Sequence, residues 1–173
     1  MKKVKLYKPT VEDLWFREQC MADPDTMSYN AGYDVSYNGY HYDTGCIDFP
    51  KSEWEAWHTN KFSNPNFYYA YIVDVDTNEF VGYLNYHLSG EGRYEMGIVM
   101  YSKYQGQGYM RPAMQEFLST AKQNGITALW DSVPASREKA LKVFFDFGFE
   151  VVEEFNSIKF GKEDLCYIIK KEL

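Results

Sequence analysis

The sequence has 173 residues, of which 45% are hydrophobic and 18% aromatic, and this composition excludes an intrinsically disordered chain. Its formal net charge of −7 argues against nonspecific binding to nucleic acid. No apolar run approaches the roughly 20 residues of a membrane helix, and the start lacks a signal peptide's apolar core, so we expect a cytoplasmic protein without membrane partners.

The first hundred residues are predicted to form a strand, two helices and then three strands. An alternating edge strand at residues 3–7 precedes a helix that Thr10 can cap and that ends near Asp23. Residues 26–50, rich in tyrosine, glycine and aspartate, keep no steady period and are predicted to form a long ordered loop. Pro50 then opens the second helix. The following strands are predicted over residues 67–75, 80–88 and 93–101.

The second half begins with a glycine-rich turn and continues as a helix, a strand, a second helix and two strands. Pro112 has no N–H, so the first of these helices should hold it in the first turn. Ser136 can cap the next helix, which stops at Gly148. The apolar face predicted for the helix that contains Pro112 consists of Met110, Ala113, Met114, Phe117, Leu118 and Ala121. Strands are predicted at 127–133, 150–160 and 165–170. The order βααβββαβαββ indicates one mixed α/β domain over residues 1–173.

The glycine turn comprises Gln105, Gly106, Gln107, Gly108, Tyr109 and Met110 and lies between a predicted strand and a predicted helix. Glycines let the backbone approach a phosphate closely, and several N–H groups can point into one concavity. The positive end of the helix dipole strengthens such a site. The turn therefore predicts an anion site that fits a pyrophosphate.

Two motifs resemble those of the GNAT superfamily of N-acetyltransferases. The segment 104–109 is similar to the family's acyl-CoA signature, Q/R-x-x-G-x-G/A, and the segment 140–149, ending in Phe147, Gly148 and Phe149, resembles its fourth helix. The resemblance implies a central, mostly antiparallel sheet flanked by helices. It also implies that acetyl-CoA donates an acetyl group to a primary amine by direct attack, without a metal.

Three residues depart from the family pattern. Met110 stands where the signature ends in glycine or alanine. Arg137 stands where many members have an asparagine that contacts the cofactor, and it either pairs with a phosphate or is a solvated surface charge. Phe144 stands where many members have a tyrosine that protonates the departing thiolate, and a phenyl ring cannot donate that proton. We still expect Arg137 and Phe144 to contact the cofactor.

Amine acetylation needs a base, a donor for the developing oxyanion, and room for the leaving thiolate. In the family, the backbone of the fourth strand supplies the oxyanion donor and guides the pantetheine arm, which implies this role for Ile98, Val99 and Met100. Glu95, on the same strand, is the candidate base or amine anchor. A strand glutamate can equally be a solvated or salt-bridged residue.

The acceptor is predicted to be a small polar amine, which the acidic net charge suits. Tyr33 and Tyr37, in the tyrosine-rich loop, are candidates for its binding site, although packing explains these phenols equally well. A noncatalytic acyl-CoA sensor and a peptide N-terminal acetyltransferase are the alternatives. The three cysteines are widely spaced and suggest neither a disulfide framework nor a zinc site. The protein is expected to be a monomer or a homodimer.

Overall fold

A computed structural model describes residues 1–173 as a mixed α/β structure built on one seven-stranded sheet. This architecture confirms the predicted fold class, and none of the helices has the length and apolarity needed to cross a bilayer. The strands are β1 (Val4–Tyr7), β2 (Phe67–Asp74), β3 (Phe80–Leu88), β4 (Tyr94–Met100), β5 (Ala128–Pro134), β6 (Glu150–Lys159) and β7 (Lys162–Glu172). The helices are α1 (Trp15–Ala22), α2 (Pro24–Met27), α3 (Lys51–Phe62), α4 (Met110–Gln123) and α5 (Glu138–Asp146).

The sheet has the strand order β1-β2-β3-β4-β5-β7-β6, and a gap opens within it. All neighbouring strands run antiparallel except β4 and β5, which are parallel and share only one register pair, Glu95 with Trp130. Beyond that pair the two strands separate toward their C-terminal ends. The backbone edge of β4 facing β5 is therefore without a partner strand from residue 97 onward.

Helix α4 covers one face of the sheet with the apolar side chains that its period predicts. Pro112 lies in its first turn, where a missing N–H costs nothing. The buried side chains of this face are Ala113, Met114, Phe117, Leu118 and Ala121, and they pack in the main core of 21 buried residues. Burial of this face against the sheet fixes where the helix begins, and so fixes the glycine turn before it.

Helices α1 and α3 cover the other face through a mainly aromatic cluster. Phe16 and Cys20 of α1 pack there with Tyr69 and Tyr71 of β2 and Tyr83 of β3. The Tyr71 hydroxyl donates to the carbonyl of Asp13 at 3.0 Å and accepts the backbone N–H of Arg17 at 3.2 Å. These bonds fix α1 against the sheet and direct the next turn of α1 toward the gap.

The predicted loop at residues 26–50 is partly helical. Asp23 caps α2, because its carboxylate accepts the backbone N–H groups of Asp25 at 3.3 Å and Thr26 at 3.2 Å. A 3₁₀ turn over Ser28–Asn30 follows directly. The sequence predicts that the first helix ends near Asp23-Pro24, whereas Pro24 occupies the first position of the short helix α2.

Two further predictions, of a helix cap and of a strand start, are wrong in detail. Arg137, rather than Ser136, occupies the N-cap of α5, and it makes no side-chain cap bond. The last two strands meet at a two-residue turn, Phe160-Gly161, with φ of 50° and 72°. This pair of positive φ values is the conformation that joins tight hairpins, so β7 begins three residues earlier than predicted.

The tyrosine-rich loop packs against the tip of the β6–β7 hairpin. The Phe160 N–H donates to the carbonyl of Gly32 at 2.7 Å, and the rings of Phe160 and Tyr42 meet edge to face at 5.5 Å. The ammonium of Lys159 lies 5.4 Å from the centroid of the Tyr33 ring. The loop is thus ordered, as predicted, and it is held at the tip of the β6–β7 hairpin.

A buried carboxylate ties the β2–β3 turn to the glycine turn. Asp74, 1% exposed, accepts the Tyr109 hydroxyl at 2.5 Å and the backbone N–H groups of Asp76 and Thr77 at 2.8 and 3.1 Å. The bond from Tyr109 is the main reason that the pKa of Asp74 falls to about 2. Tyr109 is thereby anchored at the point where α4 begins.

Replacing Asp74 with asparagine should destabilise the fold by about 1–3 kcal/mol at pH 7, because a charged acceptor of several bonds becomes neutral. The pKa of Asp74 is lower in the folded state than its ordinary 3.8, so its stabilisation is complete above that value and is lost as the pH falls toward 2. The difference between the unfolding free energies of the parent and Asp74→Asn, measured with urea, should therefore be larger at pH 7 than at pH 3. An equal difference at both pH values would contradict this role.

Candidate active site

Two adjoining cavities lie at the gap between β4 and β5. The outer cleft, of about 850 Å³, runs between the end of β4, the glycine turn and the start of α5. The inner cavity, of about 360 Å³, lies deeper in the gap and extends toward α1. Nine predicted cofactor residues line the outer cleft: Ile98, Val99, Met100, Gln105, Gly106, Gly108, Tyr109, Met110 and Arg137.

The glycine turn presents backbone to the outer cleft. Gly106 and Gly108 have φ of 73° and 87°, and a Cβ added at either position would meet no protein atom within 4 Å. Their conformation thus requires glycine, and the space beside them is open to a ligand. The turn ends where α4 begins, so the positive end of that helix points at the same space.

The two glutamines of the turn point back to the protein backbone. Gln105 Nε2 donates to the carbonyl of Met100 at 3.1 Å, and Gln107 Nε2 donates to the carbonyl of Lys103 at 2.6 Å. These bonds brace the turn against β4 and the 3₁₀ turn that follows it. Gln107, predicted with the other cofactor residues, does not line the cleft.

The free edge of β4 offers backbone donors. The Tyr101 N–H donates to the carbonyl of Val81 on β3 at 3.0 Å. Because N–H groups alternate in direction along an antiparallel ladder, the Val99 N–H also points toward β3. The N–H groups of Ile98 and Met100 therefore point away from β3, toward the gap. No strand accepts them there, because β5 has already separated.

The inner cavity is lined by residues from both faces of the sheet. It shares Tyr29, Ile98, Val99, Met110, Arg137 and Ala140 with the outer cleft, so the two spaces adjoin at the gap. The charged residues on its wall are Arg17, Asp131 and Arg137. One carboxylate and two guanidinium groups therefore surround a space that a small molecule could fill.

Asp131 on β5 is a site residue that the sequence analysis missed. Burial raises the pKa of its carboxyl group to about 7, although the Ser132 N–H bonds to it at 2.8 Å and Arg137 lies near. A carboxylate with this pKa can exchange a proton near neutral pH. The available signal was the single charged residue of its strand.

Glu95, the predicted base, lies at the single pairing point of β4 and β5. Its side chain is 38% exposed, and Oε1 is 3.5 Å from Nε of Arg93. Glu95 lines neither cavity, but its charge is close enough to raise the pKa of Asp131. Two carboxylates therefore flank the point where the gap opens.

Phe144 is buried and lines the inner cavity rather than the outer cleft. Its ring packs edge to face on that of Phe149, with centroids 5.1 Å apart, so its placement suits a core residue at the cavity wall. Tyr29 lines both cavities and carries the hydroxyl that Phe144 lacks. Burial raises the pKa of Tyr29, which keeps this hydroxyl protonated.

Tyr33 and Tyr37, predicted to bind the acceptor, line neither cavity. Tyr33 is held at the β6–β7 hairpin, where its backbone N–H bonds to the Tyr40 hydroxyl at 3.2 Å. Tyr37 is 47% exposed and stacks near Tyr40. The helical turn at residues 28–30 directs Tyr29, rather than these two phenols, into the gap. The chain has no group of three or more His, Cys, Asp or Glu side chains arranged to hold a metal ion.

Comparison with known proteins agrees with this geometry. Residues 32–149 match the model of the acetyltransferase (GNAT) family. No functionally curated protein matches the sequence. The matched segment contains the glycine turn, both strands of the gap and α5. Arg17 and Tyr29, which also line the inner cavity, lie before it.

Solved structures of similar fold include several acetyltransferases. Spermidine N-acetyltransferase from Vibrio cholerae, in complex with CoA and spermine, has a TM-score of 0.79 at 15% identity, over 98% of this chain and 95% of that one. A GNAT-family acetyltransferase from Streptococcus pneumoniae has a TM-score of 0.76 at 14% identity, over 99% and 100%. YncA from Salmonella typhimurium, solved with its cofactor acetyl-CoA, has a TM-score of 0.75 at 12% identity, over 98% and 94%. The family match, covering most of the chain, shows that this protein belongs to the GNAT family of acetyltransferases.

Proposed function

We propose that this protein transfers the acetyl group of acetyl-CoA to the primary amine of a small polar acceptor, and that residues 1–173 form one catalytic domain. The observation that carries the proposal is the meeting of two different cavities at the gap between β4 and β5. One contains the glycine turn, with open space beside its backbone, and has room for a long cofactor, and the other is smaller and has a carboxyl group with a raised pKa.

In this proposal the glycine turn binds the pyrophosphate of the donor. Open space at Gly106 and Gly108 lets phosphate oxygens reach the backbone N–H groups. Arg137 adds a cation at the opposite wall, where its guanidinium lies 5.7 Å from the Tyr29 ring centroid. The free N–H groups of Ile98 and Met100 guide the pantetheine arm into the gap.

The reaction joins the amine nitrogen to the thioester carbonyl carbon and breaks the carbon–sulfur bond. The acceptor's ammonium first loses a proton to Asp131 or, through water, to Glu95. A free N–H on β4 stabilises the oxygen that becomes negative during attack. The leaving thiol has an ordinary pKa of about 8.5, so it can depart as thiolate without an acid.

The direct test is release of CoA thiol by the purified protein with acetyl-CoA and a panel of amines. The panel contains amino acids, polyamines, amino sugars and short peptides, and mass spectrometry identifies the acetylated product. We expect amine-dependent thiol release with at least one small acceptor. Turnover with peptides alone would instead favour an N-terminal acetyltransferase.

Phe144 favours one alternative, a noncatalytic module that binds acyl-CoA. Calorimetry with acetyl-CoA distinguishes such a module, which binds the donor, from a protein that no longer binds it. Tight binding of acetyl-CoA without thiol release from any amine would support the sensor and exclude the proposed transferase.

Phe144→Tyr should leave the rate of acetyl transfer equal or raise it, because the new hydroxyl can protonate the thiolate while Tyr29 and the backbone donors remain. Thiol-release kinetics at pH 7, with Phe145→Tyr on the exposed face of α5 as the matched control, measure this effect. A large fall in activity without unfolding would mean that the ring at Phe144 excludes water or packs against substrate. Activity that appears only in the Phe144→Tyr protein would support the sensor.

A further inference from the structure

The guanidinium of Arg17 reaches the inner cavity from α1 within an aromatic box. Its central carbon lies 4.3 Å from the ring centroid of Trp57, 5.1 Å from that of Phe49 and 5.5 Å from that of Tyr69. The Tyr83 ring, at 5.9 Å, closes the box on the side of β3. These contacts orient the cation but supply no negative charge.

Most hydrogen-bonding capacity of this guanidinium is unused. Its one side-chain hydrogen bond runs from Nη1 to the Tyr69 hydroxyl at 3.4 Å. Nε is closed off from solvent and has no partner. A guanidinium carries five N–H donors, so this half-buried cation keeps donors that a ligand can use. No carboxylate of the chain forms an ion pair with Arg17.

The charges on the cavity wall favour a ligand that carries its own anion. Arg17 is always cationic, whereas Asp131 is only partly ionised near neutral pH, and in the proposed function Arg137 pairs with the phosphates of the donor. A polyamine would bring several positive charges toward the Arg17 guanidinium. A zwitterion would instead place its ammonium beside Asp131 and its anion beside Arg17.

We propose that Arg17 binds the carboxylate of the acceptor, which is therefore a small amino acid or a related zwitterion. A planar carboxylate accepts two parallel N–H bonds from one guanidinium, and this pairing would satisfy donors that the protein leaves free. The inner cavity, of about 360 Å³, is large enough for such a molecule. This inference rests on the proposed function, and it names the class of acceptor.

Matched acceptors test the proposal in the unmodified protein. Thiol release is measured for a set of amino acids and for their amides and methyl esters, which keep the amine and lose the negative charge. We expect kcat/KM to be at least roughly 30-fold higher for the best free acid than for its amide, as for removal of one partner of a buried ion pair. Spermidine should be a poorer acceptor than that acid.

Variants of Arg17 assign the preference to the guanidinium. Arg17→Gln should lower kcat/KM for the acid roughly 30-fold or more through the acceptor KM, with little change for the amide and for the KM of acetyl-CoA. Arg17→Lys keeps the charge and should retain part of the preference, and it serves if the Gln variant does not fold. Lys61→Met is the control, because Lys61 also lies over an aromatic ring, that of Phe67, but lines neither cavity.

The outcomes separate this inference from the proposed function. Thiol release with spermidine or amides as rapid as with free acids would overturn the role of Arg17 and leave the transferase intact. If no amine supports thiol release, the proposed function fails, and calorimetry of the same amino acids with CoA-saturated protein still tests the site. Binding that Arg17→Gln abolishes would support carboxylate recognition, whereas no binding, or binding unchanged by Arg17→Gln, would overturn it.

Discussion

Gly108→Val should weaken acetyl-CoA binding by at least roughly 100-fold, the largest loss expected from any single change in the outer cleft. Gly108 has a φ of 87°, and the space beside its Cα is open to the cleft. A valine there would project into the position of the pyrophosphate and would strain the turn by about 1–3 kcal/mol. Calorimetry with acetyl-CoA and thermal unfolding measure the two effects separately.

Gly92→Val is the matched control for this experiment. Gly92 also has a positive φ, 76°, and open space beside it, but it lies in the β3–β4 connection and lines neither cavity. It should lose similar stability and keep its affinity for acetyl-CoA. An unchanged affinity in Gly108→Val, or an equal loss in both variants, would mean that the glycine turn is not the phosphate site.

Asp131→Asn should lower kcat/KM by roughly 100- to 10,000-fold if this carboxylate is the general base. The pKa of Asp131 is about 7, so kcat/KM of the parent should rise as the pH passes through that value. The rise should disappear in the asparagine variant. Glu95→Gln is the companion variant, and a loss of roughly ten- to ten-thousand-fold there instead would assign the base to Glu95. If either variant keeps full activity across this pH range, the residue that it replaces is not the general base.

The raised pKa of Asp131 also makes the stability of the fold depend on pH. The folded state keeps the proton up to about pH 7, whereas an unfolded aspartate loses it near 3.8, so this group lowers stability as the pH rises between the two values. Asp131→Asn removes that loss. Its melting temperature relative to the parent should therefore be higher at pH 8 than at pH 5. The reverse order would show that the carboxylate is stabilised where it lies.

The sequence predicted those parts of the fold that depend on the local spacing of apolar residues. Alternation places β3 at residues 80–88, the bounds that the structure has, and the apolar face of α4 is buried as its spacing predicts. The glycine turn also lies where a strand-to-helix connection predicts it. These features depend on neighbours a few residues apart, so the sequence contains the necessary information.

The parts of the site that the sequence did not predict depend on distant contacts. Asp131 gains its pKa from the gap, which exists because β4 and β5 separate after one pair. Arg17 is on a helix whose direction is set by Tyr71 of β2. The choice of Tyr29 over Tyr33 depends on how the loop meets the distant β6–β7 hairpin. No local pattern encodes these relations.

The single pairing of Glu95 with Trp130 divides the sheet into two mechanical units, β1–β4 and β5–β7–β6. Hydrogen bonding is continuous within each unit and nearly interrupted between them, so the apolar core beneath the sheet is what mainly joins the units. A pantetheine arm lying along the seam would take the place of the missing ladder. We therefore expect the donor to stiffen this seam as it binds, and each departure of CoA to loosen it again.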